Sequence, residues 1–79
     1  MEERIIIKQL KQLMNKAIKK NEVPVACIIT KDDKIIAKSY NKTLKTNNIL
    51  DHAEIIAIRK ASKKLHNWRL NDCKMYISL

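Results

Sequence analysis

His52 and Glu54 stand two residues apart in Asp51-His52-Ala53-Glu54, where an amphipathic pattern of Ile55, Ile56, Ile58, Ala61 and Leu65 begins. An imidazole is a common zinc ligand, and a neighbouring carboxylate can move protons for a metal-bound water. The pair alone is weak, because H-x-E also occurs by chance at the solvated start of a helix. Geometry adds a condition. Residues i and i+2 of a helix point roughly 200° apart, so both serve one site only if that site lies off the helix end.

The elements around the pair can be read from periodicity. Residues 2 to 20 place Ile6, Leu10, Leu13 and Ala17 on one helical stripe, widened by Ile7, Met14 and Ile18. Val23 to Thr30 is a nearly continuous apolar run, as in a strand buried on both faces, with Pro24 confined to its start. Lys31-Asp32-Asp33-Lys34 reads as a tight turn in which, with no glycine, Asp33 has to tolerate a positive φ or the turn must differ in type. Residues 34 to 40 form the return strand, ending at Asn41, and 42 to 50 read as a polar loop. Asn48, with Asp51 three residues on, is the expected cap of a helix running to Lys64 or Leu65, on which Glu54, Ile58, Ala61 and Leu65 share a face. Trp68 is expected to cover a core edge, and the last strand runs from Cys73 to Leu79.

Length and composition bound the possibilities. The 79 residues allow one small domain, and 46% apolar content argues against disorder. No apolar run is long enough to span a membrane, and Met1-Glu2-Glu3-Arg4 is not a secretory start, so a cytoplasmic location is expected. Cys27 and Cys73 form no metal-binding pair and are read as reduced thiols in buried strands. The net charge of +9, from 17 basic and 8 acidic residues, is compatible with RNA. The lysines are nevertheless scattered, and a Lys-, Ile- and Asn-rich chain without glycine also fits a compositional bias. Arg59 and Arg69 are read as surface partners of acids, and His66 as a helix-end histidine.

Taken together, Glu22-Val23-Pro24-Val25, the strand-ending Asn41, His52-Ala53-Glu54-Ile55 with Ala57-Ile58-Arg59, Asn67-Trp68-Arg69-Leu70 and Asp72-Cys73-x-x-Tyr76 carry a resemblance from about residue 8 onward. They resemble the zinc-dependent nucleobase deaminases, most of all the bacterial tRNA adenosine deaminases (the TadA type). The resemblance implies an α/β protein with the three-layer α/β/α cytidine-deaminase-like fold. Helix, β-hairpin, helix and strand make its N-terminal half. It implies Zn²⁺-dependent hydrolysis of adenosine to inosine at the tRNA anticodon wobble position, with tRNA as partner, no membrane, and a homodimer for full-length relatives.

By the same resemblance His52 is a zinc ligand, and Glu54 is the catalytic acid and base and not a ligand. Asn41 contacts the base, and Val25 packs against the flipped base. The Ala53 N–H, facing the helix start, is expected to hold a base carbonyl or phosphate-like group. For Asn41 the plainer alternative is a turn asparagine, and for Val25 a core strand residue. The resemblance places E-P-C-x-x-C, with the other two zinc ligands, directly after the strand that ends here. The sequence stops one residue before it, at Leu79. Residues 1–79 are therefore expected to be a partial domain lacking the C-terminal half, with one of three ligands and no activity alone. Ala26 stands where the family has glycine, which tightens or shifts the pocket wall. Two other readings stay open: a deaminase of a free cytosine or guanine base or nucleotide, and a non-catalytic remnant that pairs with another chain or binds RNA.

Overall fold

The computed structural model describes residues 2–48 and 51–78. Its elements are α1 (Glu3–Lys19), β1 (Ala26–Lys31), β2 (Lys34–Tyr40), α2 (Thr43–Thr46), α3 (Ala53–Leu65) and β3 (Cys73–Ser78). The strands form one antiparallel sheet in the order β2-β1-β3. Helix α1 buries Ile6, Leu10, Leu13 and Ala17, the stripe its sequence spacing predicts. Ile7 and Ile18 lie outside that stripe and are exposed.

Successive β1 residues serve opposite layers, as the two-residue period of a strand requires. Ala26 and Ile28 pack with Ile6, Leu10 and Leu13 of α1. Cys27 and Ile29 pack with Ala53, Ala57 and Ala61 of α3. The sheet is thus covered by one helix on each face, and β1 is buried on both, as its apolar run predicts. Helix α3 turns Ala53, Ala57 and Ala61 inward at steps of four, together with Ile56. This differs from the stripe expected from Ile55 and Ile58, which are 38% and 37% exposed. Alanines let the helix approach the sheet closely, and the longer isoleucines then fall on its flanks.

Other departures have local causes. Val23 to Val25 precede β1 instead of joining it. Pro24 has no N–H to give, and the Val25 N–H turns back to the Val23 carbonyl at 2.8 Å. The segment after β2 contains α2 and is not loop throughout. Its last two residues, Ile49 and Leu50, fall outside the described residues, as does Leu79 at the expected end of β3. Asn48 does not cap α3: His52 occupies the N-cap, and the Asn48 carbonyl instead accepts the Asp51 N–H at 3.0 Å. Trp68 covers no core edge; it is 78% exposed, with the Arg69 guanidinium 5.0 Å from its ring.

A chain without glycine must make its tight turns with other residues. Among the described residues six take positive φ: Asn21, Asp32, Asp33, Asn47, His66 and Asp72. Five are Asn or Asp, whose short polar side chains tolerate this region best. Both Asp32 and Asp33 adopt it (φ 51° and 60°), giving the two-residue hairpin turn that matches strand twist. Among the described residues no helix is long and apolar enough to cross a membrane.

Candidate active site

Three chain segments meet at the end of the sheet opposite the hairpin turn. β1 begins there, β2 ends there, and α3 starts there. The Asn41 N–H donates to the Val25 carbonyl at 3.0 Å, extending the β1–β2 ladder past its last strand pair, Ala26 with Tyr40. Val25 packs against the cluster containing Cys27 and Ala53. The Ser39 hydroxyl donates to the Ala53 carbonyl and ties the first turn of α3 to β2. The Lys42 N–H donates to the Asp51 carbonyl at 2.9 Å, joining the starts of α2 and α3. Val25, Asn41, His52, Ala53 and Glu54 therefore all come from segments held at one end of the sheet.

His52 and Glu54 lie on either side of the start of α3. His52 has extended backbone angles (φ −71°, ψ 152°) and precedes the helix, while Glu54 lies in its first turn. The imidazole is exposed and makes no capping bond. Ala53 is fully buried. Its N–H and that of Glu54 belong to the first helical turn, where amides have no intrahelical acceptor and the helix dipole favours negative charge.

Two oxygens here are buried without a hydrogen-bond partner: Glu54 Oε1 and Asn41 Oδ1. Asn41 is 3% exposed, and its Nδ2 donates to Thr43 Oγ1 across 3.4 Å. Leaving a buried acceptor unmet costs about 1–3 kcal/mol, so such atoms mark where a ligand or water is wanted. A third, Gln9 Oε1, belongs to α1, where Gln9 lines a groove with Ile5, Lys8, Gln12 and Lys38. Beneath the site, burial and next the charge of Glu54 push the Cys27 thiol up to about 11. Cys27 and Cys73 are both free, Cys27 buried and Cys73 half-buried.

Other residues support the site in roles that the motifs do not state. The Glu22 carboxylate is buried and accepts the Leu44 N–H at 2.9 Å and the Lys45 N–H at 2.7 Å, anchoring α2 next to Asn41. A charged residue opening an apolar run was the available signal. Asp51 accepts from Arg59 Nη2 at 2.6 Å, two turns along α3. The Thr46 hydroxyl beside it and then Arg59 hold the Asp51 carboxyl below its ordinary value.

A catalytic zinc site takes three protein ligands. Among the described residues no three His, Cys, Asp or Glu groups come together as a metal site. The exposed imidazole of His52 is one suitable donor, and the residues described here do not by themselves close a zinc centre.

The sequence matches the MafB19-like deaminase family over residues 1–79. A tRNA-specific adenosine deaminase of Rickettsia bellii is 48% identical over 65 residues, covering 80% of this chain and 45% of that protein. One from Streptococcus pyogenes is 36% identical over 64 residues, covering 81% and 40%. A chloroplastic tRNA(adenine(34)) deaminase of Arabidopsis thaliana is 45% identical over 58 residues, 73% of this chain and 4% of that protein. The chain thus spans less than half the length of these relatives. A solved tRNA:A34 deaminase superposes with a TM-score of 0.88 at 32% identity, covering 98% of this chain and 60% of the other. Guanine deaminase from Bacillus subtilis superposes at 0.90 with 34% identity, covering 99% and 50%. The arrangement of helix, hairpin, helix and strand is that of these deaminases, and the chain belongs to the MafB19-like deaminase family.

Proposed function

We propose that this chain carries the base-binding and proton-transfer part of a tRNA adenosine deaminase, which hydrolyses wobble adenosine to inosine and ammonia. The observation that carries this reading is the pair of unpartnered buried oxygens, Glu54 Oε1 and Asn41 Oδ1, at the one end of the sheet where α3 begins. Glu54 takes a proton from the attacking water, passes it to the purine ring nitrogen, and assists the departure of ammonia. Asn41 meets the base edge with its amide, which can donate and accept. Val25 packs against the base, and the Ala53 N–H faces its polar rim. Zn²⁺, when bound, would lower the pKa of the attacking water, and His52 is the residue of this chain that would hold it. A cytoplasmic location and a homodimeric assembly belong to this reading.

A second reading, deamination of a free base such as guanine, is favoured by the close superposition on guanine deaminase. The relatives named as tRNA-specific adenosine deaminases, at 36% to 48% identity, favour RNA.

The test measures bound zinc, inosine formation in a tRNA anticodon stem-loop, and guanine deamination in parallel. It uses the chain alone and mixed with a polypeptide spanning the remaining length of the Rickettsia bellii relative. Inosine formed by the mixture and reduced about 10²–10⁴-fold by Glu54→Gln is the expected result. Guanine turnover without inosine replaces this reading with the second. A folded mixture with neither activity makes the chain a deaminase by descent only.

A further inference from the structure

The end of β2 gathers cations that make no direct ion pair among the described residues. Lys42 Nζ lies 5.0 Å from the centroid of the Tyr40 ring, and Lys20 Nζ lies 5.8 Å from it. The two lysines reach the ring from different places, the C-terminal cap of α1 and the N-terminal cap of α2. A hydrogen bond from Lys20, then the charges of Lys20, Lys42 and Lys45, lower the Tyr40 phenol from its ordinary value. The ring is held in place because Tyr40 packs against the α1 side of the core.

The nearby carboxylates are already engaged. Glu22 faces the backbone of α2, and Asp51 is paired with Arg59, Lys42 acting on it only as a more distant charge. The ion pairs among the described residues, Arg4–Glu2 and Arg59–Asp51, use none of these lysines. The field extends along β2. Lys60 Nζ donates to the Lys38 carbonyl at 2.9 Å, and burial, then the charge of Lys42, draws its ammonium below the ordinary lysine range. Like charges held together store repulsion that a polyanion relieves, with release of its counterions. Tyr40 directly precedes Asn41, so the cluster borders the base-binding end of the site.

We propose that Lys20 and Lys42, which flank the Tyr40 ring, together with Lys45 on the adjoining α2, bind the phosphodiester backbone of the RNA strand whose base enters at Asn41. The proposal rests on the reading of the chain as an RNA deaminase and adds where the strand is gripped. It also separates a specific contact surface from the general lysine excess of the composition.

The test is fluorescence anisotropy of a labelled tRNA anticodon stem-loop titrated with the 79-residue chain, repeated from about 50 to about 200 mM salt. The triple variant Lys20→Gln, Lys42→Gln, Lys45→Gln should weaken binding at least about tenfold and lower the salt slope by about 2, from about 0.7 per lost single-strand contact. Lys42→Arg keeps the charge and should bind nearly as the parent. Lys31→Gln, Lys34→Gln, Lys74→Gln removes the same charge at the hairpin end of the sheet and should cost much less. Equal losses in the two triples would assign the binding to net charge and overturn the proposal. Unchanged binding by the first triple overturns it while RNA recognition stands. Polyglutamate competing as well as RNA would also overturn it, in favour of an acidic polypeptide. A chain folded by circular dichroism that binds no RNA overturns the proposal and the RNA reading together.

Discussion

The Glu22 carboxylate receives the Lys45 N–H at 2.7 Å, across 23 residues of sequence, with the Leu44 N–H on its other oxygen at 2.9 Å. The four-residue α2 is too short to hold itself together, so this buried carboxylate does what a side-chain cap does for a longer helix. Thr43, the first residue of α2, in turn receives Asn41 Nδ2. Glu22→Ala should cost about 2 kcal/mol in urea unfolding, the size of a hydrogen-bonded charge removed. Amide exchange at Leu44 and Lys45 should accelerate well beyond that at Ile28 in β1. Unchanged exchange at those two amides would show that α2 is held by something else.

Asp51 gives a pH dependence with a definite sign. Its folded carboxyl sits below the usual 3.8, first through Thr46 and then through Arg59. The ionised form is therefore favoured in the folded state. The associated stability is fully present above the unfolded value and is lost as pH falls through the folded one. Urea midpoints of the parent and Asp51→Asn should converge as pH drops below about 4. A constant gap between the two from neutral to acid pH would remove Asp51 as the cause.

How much of this was legible depends on whether a residue's role is set by periodicity or by distant partners. Ile6, Leu10, Leu13 and Ala17 are buried where helical spacing predicts. β1 is buried on both faces because its apolar run leaves no polar side. That α3 begins near the His52–Glu54 pair followed from the amphipathic pattern, but the expected cap at Asn48 put the helix start several residues too early, and His52 itself is the N-cap. The supporting roles of Glu22 and Ser39 escaped, although Glu22 opens one of the motifs, because their partners lie 22 and 14 residues or more away. The inward stripe of α3 was misread because hydrophobicity ranks isoleucine above alanine, whereas close packing on a sheet selects the small side chain. Trp68 was misplaced for a related reason: its size promised burial, and Arg69 instead partners the ring at the surface.

The two thiols should separate cleanly by reactivity. Burial, and then Glu54, push Cys27 up to about 11, and it is fully buried, whereas Cys73 is half-buried. The thiolate is the reactive form. Iodoacetamide near pH 8 should therefore label Cys73 first and reach Cys27 only on unfolding, as read by mass spectrometry. The neutral thiol is favoured in the fold, so its share of stability is full below the unfolded value and is lost as pH rises toward 11. Glu54→Gln should lower the Cys27 value. Equal labelling of both thiols in the native chain would contradict the packing of Cys27 under α3.

The outer edges of the sheet differ in how they resist association. Along β2, Lys34 and Lys38 are exposed, and charges on an edge strand discourage pairing with another chain. β3 exposes Met75 and Ile77, because α3 lies over β1 and β2 and leaves that part of the face open. Ile58, Leu70, Cys73 and Met75 border a groove of about 180 Å³ there. Unpaired strand edges beside apolar surface favour self-association, and a chain of this size has little stability in reserve. Sedimentation of the 79-residue chain should show concentration-dependent oligomers or aggregates. Met75→Lys with Ile77→Lys should shift the distribution toward monomer while Lys34→Gln with Lys38→Gln shifts it the other way. A monomeric parent with a sharp thermal transition well above room temperature would mean that the open β3 face is tolerated as it stands.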